Sequence, residues 1–487
     1  MHGKDLDLLF NPRSLAMIGA SGTPGKWGYI ILLNILKGNY KGKVFPVNPK
    51  SDAIFGIPCH KTITDIKDDI DLAVIATPAS SVPGVIDSCG QKNIKNIIVI
   101  TADFSESGPA GKQLEKEVVN KISKYGMRLV GPNTMGIFSA RSSLHILMPT
   151  IIPSHGPVSM FSQSGNVGVQ MLAYGKQQNV GFEKFVSSGN EADLSAIDYL
   201  NYFYSDKDTR VILGYIEGFE ENSTFLQVAK TISKEKPIIV LKGGRTEAGS
   251  KAAASHTGSM AGSSRINKAI FRQAGITETA SSQELIDCAK AFVNYPLPKG
   301  NRVGIITRGG GWGVLTSDAC AENGLEVPPL SADLISKMDN LLPKYWSRGN
   351  PVDLVASIMN DPLPACLEML ANWDGVDSII CLGSGFSSFG FEYAKDLEGS
   401  KELLDTLKRI SDLFQMRTQQ ADPVFKIIGQ LVQSTGKPIV SVALGSEDML
   451  GKNVDQYGIV SFPTPGRAVR VLKHMNQYRQ FIDSQHS

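Results

Sequence analysis

Short runs of apolar, often β-branched residues recur along this chain, and nearly every one closes on a glycine or a small polar residue. Leu15-Ala-Met-Ile-Gly-Ala is followed by Lys43-Val-Phe-Pro-Val-Asn, Asp71-Leu-Ala-Val-Ile-Ala-Thr-Pro, Asn96-Ile-Ile-Val-Ile-Thr and Met127-Arg-Leu-Val-Gly. Between them lie segments such as Tyr29–Leu36, apolar enough for helices that pack on a sheet. Continuously apolar strands are buried on both faces, and buried strands alternating with helices dictate a parallel, doubly wound α/β architecture. Ligands of such sheets sit beyond the carboxyl ends of the strands, so the residues that close each run carry the functional information.

The same pattern starts again near Pro157 and once more after the linker Tyr295-Pro-Leu-Pro-Lys-Gly-Asn301. In the second block, Val158-Ser-Met-Phe runs into Ser162-Gln163-Ser164-Gly165, and Phe185-Val-Ser runs into Ser188-Gly189-Asn190-Glu191-Ala-Asp193. Arg210-Val-Ile-Leu-Gly-Tyr-Ile ends on Glu217, and Pro237-Ile-Ile-Val-Leu-Lys feeds a segment of very small residues around His256. In the third block, Arg302-Val-Gly-Ile-Ile-Thr leads into Arg308-Gly-Gly-Gly-Trp312, with later strands at Ser378, Pro438 and Gly458. The Asn350-Pro-Val-Asp353 turn is expected to close a loop over that block's active edge, and polar Glu398–Gln420 reads as a solvated helix. At 487 residues the chain exceeds one ordinary core, and about three domains are expected.

Composition excludes several classes. A formal net charge of +2 gives no whole-chain signature for nucleic acid or an anionic membrane. Six cysteines lie far apart with no CxxC pair, which speaks against disulfide or zinc frameworks and for a reducing compartment. No apolar stretch approaches membrane-spanning length and the first residues carry no apolar leader. A cytoplasmic protein is expected.

The strand ends suggest chemistry. Gly19, Gly22, Gly25 and Gly28 recur every third residue, which is not the GxGxxG fingerprint of dinucleotide sites. A nicotinamide dinucleotide also wants an acid at the end of the second strand, where this chain has Asn48-Pro49-Lys50 and only a displaced Asp52. Lys26 and Lys50 favour a ligand with extra phosphate, so coenzyme A fits better than NAD; the remaining alternative is a structural domain whose glycines serve only tight turns. Ser162–Gly165 can cradle a phosphate or carboxylate at a helix start, whereas the GxSxG elbow of a hydrolase is missing. Glu217 is placed either to orient an imidazole or to stand as a solvated strand-end acid. His256, among alanines, serines and glycines, can attack an electrophile, accept a phosphoryl group, bind a metal or simply face solvent. Cradle, carboxylate and histidine follow consecutive strands and are expected at one edge.

With those residues in view, the chain resembles the α subunit of NDP-forming acyl-CoA synthetases, the ADP-forming acetyl-CoA synthetase-like relatives of succinyl-CoA synthetase. The resemblance rests on Gly19-Ala-Ser21 with Pro24-Gly-Lys-Trp-Gly28, Pro46-Val-Asn-Pro-Lys50, Gly131-Pro-Asn133, Ser162-Gln-Ser-Gly165, Ser188–Asp193, Ile216-Glu-Gly218, Ser255-His-Thr-Gly258 and Asn350–Asp353, in that order over nearly the full length. It implies a Rossmann-like CoA-binding domain over 1–140, a flavodoxin-like domain with a phosphohistidine loop over 141–296 and a second flavodoxin-like ligase domain over 300–487. It implies CoA contacts from Gly19, Ser21, Gly25, Lys26, Lys50, Pro78 and Asn133. Phosphate or acyl contacts are implied for Ser162, Gln163, Ser164, Gly165, Gly189 and Asn190.

By the same resemblance, phosphate converts acyl-CoA to acyl phosphate, His256 takes the phosphoryl group, Glu217 orients the imidazole and ADP receives the phosphoryl group. No GxxxxGK loop followed by Ser or Thr occurs, and no stretch follows the third block. Mg²⁺ and ADP or ATP are therefore expected on a separate β subunit of ATP-grasp fold, in an α2β2 assembly, with no metal site in this chain. Arg308 and Trp312 depart from the smaller residues of the family pattern. Rival expectations are an NAD-dependent dehydrogenase and a non-catalytic CoA-binding paralogue.

Overall fold

Each series of apolar runs becomes a parallel sheet. The chain, seen in a computed structural model, is described over residues 6–218, 222–251, 264–355, 361–383, 421–443 and 458–486, with a few further positions between 403 and 409. The segment around His256 and nearly all of Glu398–Gln420 lie outside the described residues. The described chain divides into two compact units, one of residues 1–176 and 180–289, the other of 177–179 and 290–487.

The first unit holds two sheets. In chain order its opening strands are β1 (Ser14–Ile18), β2 (Lys43–Val47), the small hairpin β3 (Ala53–Ile54) and β4 (Ile57–Pro58), β5 (Leu72–Ile75), β6 (Asn96–Val99) and β7 (Arg128–Val130). The first sheet runs β2-β1-β5-β6-β7, all parallel. A single parallel bridge from Val47 to His60 adds a vestigial strand outside β2, which gives the Rossmann order 3-2-1-4-5-6. The four or five residues of β1, β5 and β6 are buried throughout, as double-sided coverage by helices requires.

Next come β8 (Gly136–Ser139), β9 (Leu144–Leu147), β10 (His155–Ser162), β11 (Phe182–Ser187), β12 (Val211–Ile216), β13 (Ile238–Lys242) and β14 (Thr277–Thr279). They order as β14-β13-β12-β10-β11-β8-β9. The parallel strands β10–β14 alone read 2-1-3-4-5, the flavodoxin order. The antiparallel pair β8–β9 was not apparent in the sequence. It caps the otherwise open edge of β11, with Phe138 opposite Phe185, and so removes an unpaired strand edge. Helix Trp27–Lys37 is held to β9 by Asn34, whose Nδ2 donates to the carbonyls of Leu147 and Pro149 at 2.7 and 2.9 Å. One apolar core therefore runs from Met17 under the first sheet to Phe161 and Tyr199 under the second.

The second unit holds β15 (Val303–Thr307), β16 (Val352–Asp353), β17 (Ser378–Leu382), β18 (Ile439–Val442) and β19 (Ser461–Phe462), ordered β16-β15-β17-β18-β19 and parallel. This is the flavodoxin order again. The Asn350–Asp353 segment is not a loop over the edge: Val352 and Asp353 pair with β15. The Asn350 side chain laces that edge, accepting from Ile305 N at 2.9 Å and donating to Val303 O at 2.9 Å. Helix Pro465–His486 closes the chain.

Candidate active site

In an open parallel sheet the ligand crevice lies where the strand order reverses, between the first strand and its neighbour on the far side. In the first sheet that point lies between β1 and β5. Gly19, directly after β1, has φ +85°, and a Cβ there would stand 2.5 Å from Ala76 O. Gly28 opens helix Trp27–Lys37 so close to the turn that a Cβ would lie 1.9 Å from Gly19 O. Only glycine lets the helix start this near the strand end. Ser21 is buried, whereas Gly25 and Lys26 are exposed just before the helix, and Lys50 is exposed beyond β2. Pro78 follows β5 and Asn133 follows β7. All seven residues expected to contact CoA are thus brought to one edge, around a helix N-terminus flanked by two exposed lysines. That arrangement fits a polyanion. The acid that a nicotinamide ribose would need is absent: Asn48 braces the turns by donating to Ala20 O at 2.7 Å and accepting from Lys50 N at 2.8 Å, and Asp52 pairs with Lys61 at 2.7 Å.

In the second sheet the switch point lies between β10 and β12. Ser164 lies two residues beyond β10 and directly before helix Gly165–Gln177, with Gly168 N donating to Ser164 O at 3.0 Å. The amides of Gly165, Asn166 and Val167 therefore have no acceptor within the helix, and the Ser164 hydroxyl makes no hydrogen bond among the described residues. A Cβ on Gly165 would stand 2.3 Å from Met135 Cγ, so any larger residue there must displace the Met135 side chain. Ser162 is fully buried, and its hydroxyl donates inward to Ser164 O at 2.6 Å.

Across from that cradle, Glu217 follows β12 and is 8% exposed. Its amide donates to Gln163 Oε1 at 2.6 Å, and the Gly218 amide reaches the same oxygen at 3.1 Å. Gln163 Nε2 donates to Gly218 O at 3.0 Å and to Glu191 Oε2 at 3.2 Å. The expectation that Gln163 offers its side chain to a phosphate does not fit this geometry, because both donors and both lone-pair sites of its amide are engaged within the chain. Beneath Glu217, Lys242 is 4% exposed and donates to Glu217 O at 2.7 Å; burial lowers its pKa, while Glu217 and Glu278 oppose the shift. The Tyr215 hydroxyl, hydrogen-bonded to the Glu217 side chain, is pushed up to about 12, chiefly by burial and then by the Glu217 charge.

The Ser188–Asp193 turn sews the two edges together. Gly189 has φ +63° and a Cβ there would lie 2.2 Å from Pro132 O. Asn190 N donates to Pro132 O at 2.9 Å, and Arg128 Nε donates to Asp193 at 2.8 Å. Asn190 turns its Nδ2 toward Glu106, Glu115 and Ser105 at 2.6, 2.8 and 3.1 Å and its Oδ1 toward Asn133, so its side chain faces the first sheet and not the Ser164 cradle. Glu191 sits at φ +53°, with Oε1 buried and lacking a partner among the described residues. Its carboxyl is pushed up to about 7, burial outweighing hydrogen bonds from Ser188 and Gln163.

Sequence reading missed Glu191, Tyr215 and Lys242. Glu191 lies inside a recognised turn, but nothing in the sequence marks it as buried. Among the described residues, no group of three or more His, Cys, Asp or Glu side chains is placed to hold a metal ion, and no helix is long and apolar enough to cross a membrane. In the second unit Arg308 pairs with Asp361 at 2.5 Å, and Trp312 stays 39% exposed at the start of helix Gly310–Glu322.

Comparison with known proteins converges on this picture. The CoA binding domain family matches residues 13–140, the succinyl-CoA ligase like flavodoxin domain residues 155–292 and the ligase-CoA domain residues 303–367. The chain is 43% identical over 357 residues to an ADP-forming acetate–CoA ligase of Methanocaldococcus jannaschii, a match over 73% of this chain and 50% of that protein. It is 40% identical over 377 residues to the α subunit of ADP-forming acetate–CoA ligase II of Pyrococcus furiosus, over 77% and 82% of the two chains. The chain thus spans about half the length of the first relative and most of the second. Its fold matches a dinucleotide forming acetyl-coenzyme A synthetase of Ca. Korarchaeum cryptofilum, solved with phosphate and ADP, with a TM-score of 0.84, 33% identity and 99% of both chains covered. A CoA-type first edge, a cradle and carboxylate at the second, and relatives this similar over this much of their length lead to one assignment: the chain belongs to the family of ADP-forming acetate–CoA ligases.

Proposed function

We propose that this chain is the α component of an ADP-forming acyl-CoA ligase, which catalyses acyl-CoA + ADP + phosphate = carboxylic acid + ATP + CoA. The observation that carries the reading is the pairing, at the switch point of the second sheet, of a helix N-terminus at Ser164–Val167, whose first amides have no acceptor within the helix, with a buried carboxylate, Glu217, beside the strand that leads to His256. Three domains are assigned: a CoA-binding domain over 1–140, the phosphohistidine domain over 141–296 and the ligase domain over 300–487.

CoA is held at the first edge by the Gly19–Lys26 turn, Lys50, Pro78 and Asn133. Its thioester reaches the second edge across the Ser188–Asp193 seam, with Gly189 and Asn190 shaping the passage. Inorganic phosphate rests on Ser164 and the first amides of helix Gly165–Gln177, with Ser162 and Gln163 supporting that turn. A phosphate oxygen attacks the thioester carbon, the C–S bond breaks and CoA leaves as the thiol after taking up a proton. An imidazole nitrogen of His256 then attacks phosphorus, the P–O bond to the acyl group breaks and the carboxylate departs. Glu217 fixes the ring tautomer and faces the positive charge that develops on it. ADP finally attacks the phosphohistidine, the P–N bond breaks and ATP forms. The relatives named as α subunits support a separate partner; we assign to it the ATP-grasp fold, the nucleotide and the Mg²⁺ that screens phosphate charge, in a cytoplasmic α2β2 enzyme.

The test is a labelling experiment. The chain with its β subunit, acyl-CoA and radioactive phosphate is expected to acquire an acid-labile, base-stable label on His256. Glu217→Gln should label more slowly while still binding CoA. Equal labelling of His256→Ala would defeat the proposal.

A further inference from the structure

Gln163 stands in the turn where an anion cradle would be sought, yet its side-chain amide is wholly engaged within the chain. Its amide orientation is unambiguous: two backbone N–H groups, of Glu217 and Gly218, converge on one end, which must be oxygen. The other end meets Gly218 O and the Glu191 carboxylate, so it must be nitrogen. The Gln163 backbone amide donates to Tyr215 O at 3.1 Å, two residues ahead of Glu217. Lys242 grips the Glu217 carbonyl at 2.7 Å from the next strand. The peptides on both sides of the Glu217 Cα are thus pinned, one by Gln163 and the other by Gln163 and Lys242 together.

Glu191 completes the arrangement. It is a non-glycine residue in the left-handed region, φ +53°, a conformation that costs energy unless its surroundings demand it. That backbone delivers a buried carboxylate oxygen to Gln163 Nε2. Against a carboxylate only the nitrogen end of the amide can point at Glu191, which leaves the oxygen end for the Glu217 turn.

We propose that Gln163 is a positioning residue, an amide clamp that sets the place of the Glu217 carboxylate, and that Glu191 fixes the polarity of the clamp. This rests on the reading of Glu217 as the group that orients His256. The clamp does not bind phosphate; it acts on the phosphoryl-transfer step through Glu217.

The test uses the chain with its β subunit, acyl-CoA and phosphate at pH 8, following His256 labelling against phosphate concentration. Gln163→Met keeps volume and removes all four hydrogen bonds. It is expected to lower the saturated labelling rate by about tenfold or more while the half-saturating phosphate stays within about twofold, since misplacing a catalytic group costs rate and not ground-state binding. Gln163→Glu sets two carboxylates against each other and should fail similarly. Gln163→Glu with Glu191→Gln restores the contact at position 191 with donor and acceptor reversed but leaves Gly218 O without its donor, so it should regain part of the rate that Gln163→Glu loses.

The inference is overturned if Gln163→Met raises half-saturating phosphate about tenfold at an unchanged saturated rate, the mark of a direct ligand. It is equally overturned if the double substitution is no better than Gln163→Glu. Hydrogen exchange at the Glu217 and Gly218 amides, slow in the native chain and fast in Gln163→Met, judges the clamp without reference to turnover. A native chain that never labels removes the proposed function, while slow exchange that Gln163→Met releases still upholds the clamp and unchanged exchange overturns it.

Discussion

Single residues at this site carry a stability cost that pH can expose. The Glu191 carboxyl is raised to about 7 in the fold from an ordinary 4.5, mainly by burial. Between those values the folded chain holds a proton that the unfolded chain has released, so stability falls as pH rises through this window and the cost is complete above it. Glu191→Gln keeps an acceptor for Gln163 and removes the titration. We expect it to be more stable than the native chain above pH 7, by about 3 kcal/mol at most, with the difference vanishing toward pH 4.5. Denaturant midpoints across that range check the sign; a difference independent of pH would show that the carboxyl is ionised in the fold throughout. Glu217 was legible in the sequence because a strand-end acid at a switch point needs only strand and order to be placed. Gln163 and Glu191 were not, because their roles depend on which backbone groups three separate turns bring within hydrogen-bond reach.

Elements were legible where burial is two-sided. The runs closing at Ile18, Val99, Ile216 and Leu382 are continuous apolar strands, and each forms as read. The hairpin β8–β9, the three-residue β14 and the two-residue β16 escaped because runs of two to four residues carry too little period to be read, and tertiary edges call them into being. The glycines spaced every third residue prove to do unlike work. A Cβ on Gly28 would collide with the Gly19 carbonyl at 1.9 Å, whereas at Gly25, φ +86°, nothing lies within 4 Å. Gly28→Ala must push helix Trp27–Lys37 off the strand end, costing about 1–3 kcal/mol and displacing the helix N-terminus that meets the ligand. Gly25→Ala carries only the backbone penalty, about 1–2 kcal/mol, and leaves the helix seated. Calorimetric titration with CoA should therefore show a larger loss of affinity for Gly28→Ala than for Gly25→Ala. The reverse order would place the CoA contact in the exposed turn itself.

At the scale of the whole molecule, sequence families divide the chain into three segments, while its packing forms two compact units. The reason lies in the cores. Met17 of the first sheet and Phe161 of the second belong to one continuous buried cluster, joined through helix Trp27–Lys37 and β9, whereas Leu370 and Trp346 lie in a separate cluster of the second unit. Strand periodicity reports what a segment buries but not which neighbour it shares that surface with, so three repeats of one pattern could not foretell a fused pair. The consequence is thermodynamic. Cooperative unfolding follows shared core, so two calorimetric transitions are expected, one for each unit. Leu370 is wholly buried, and its Cδ2 would stand 2.9 Å from a Cβ on Gly304. Leu370→Ala therefore leaves a cavity and should lower the second unit's transition by about 2–5 kcal/mol with the other unmoved. Met17→Ala and Phe161→Ala, on different sheets, should both lower the same transition, the first unit's. If these two substitutions moved separate transitions, the shared core would not be the cooperative unit, and the CoA edge and the Glu217 edge could open independently. If they move together, the seam at Ser188–Asp193 is held by the same free energy that holds both sheets. The two edges that the proposed acyl transfer must bridge would then keep a fixed spacing for as long as either is folded.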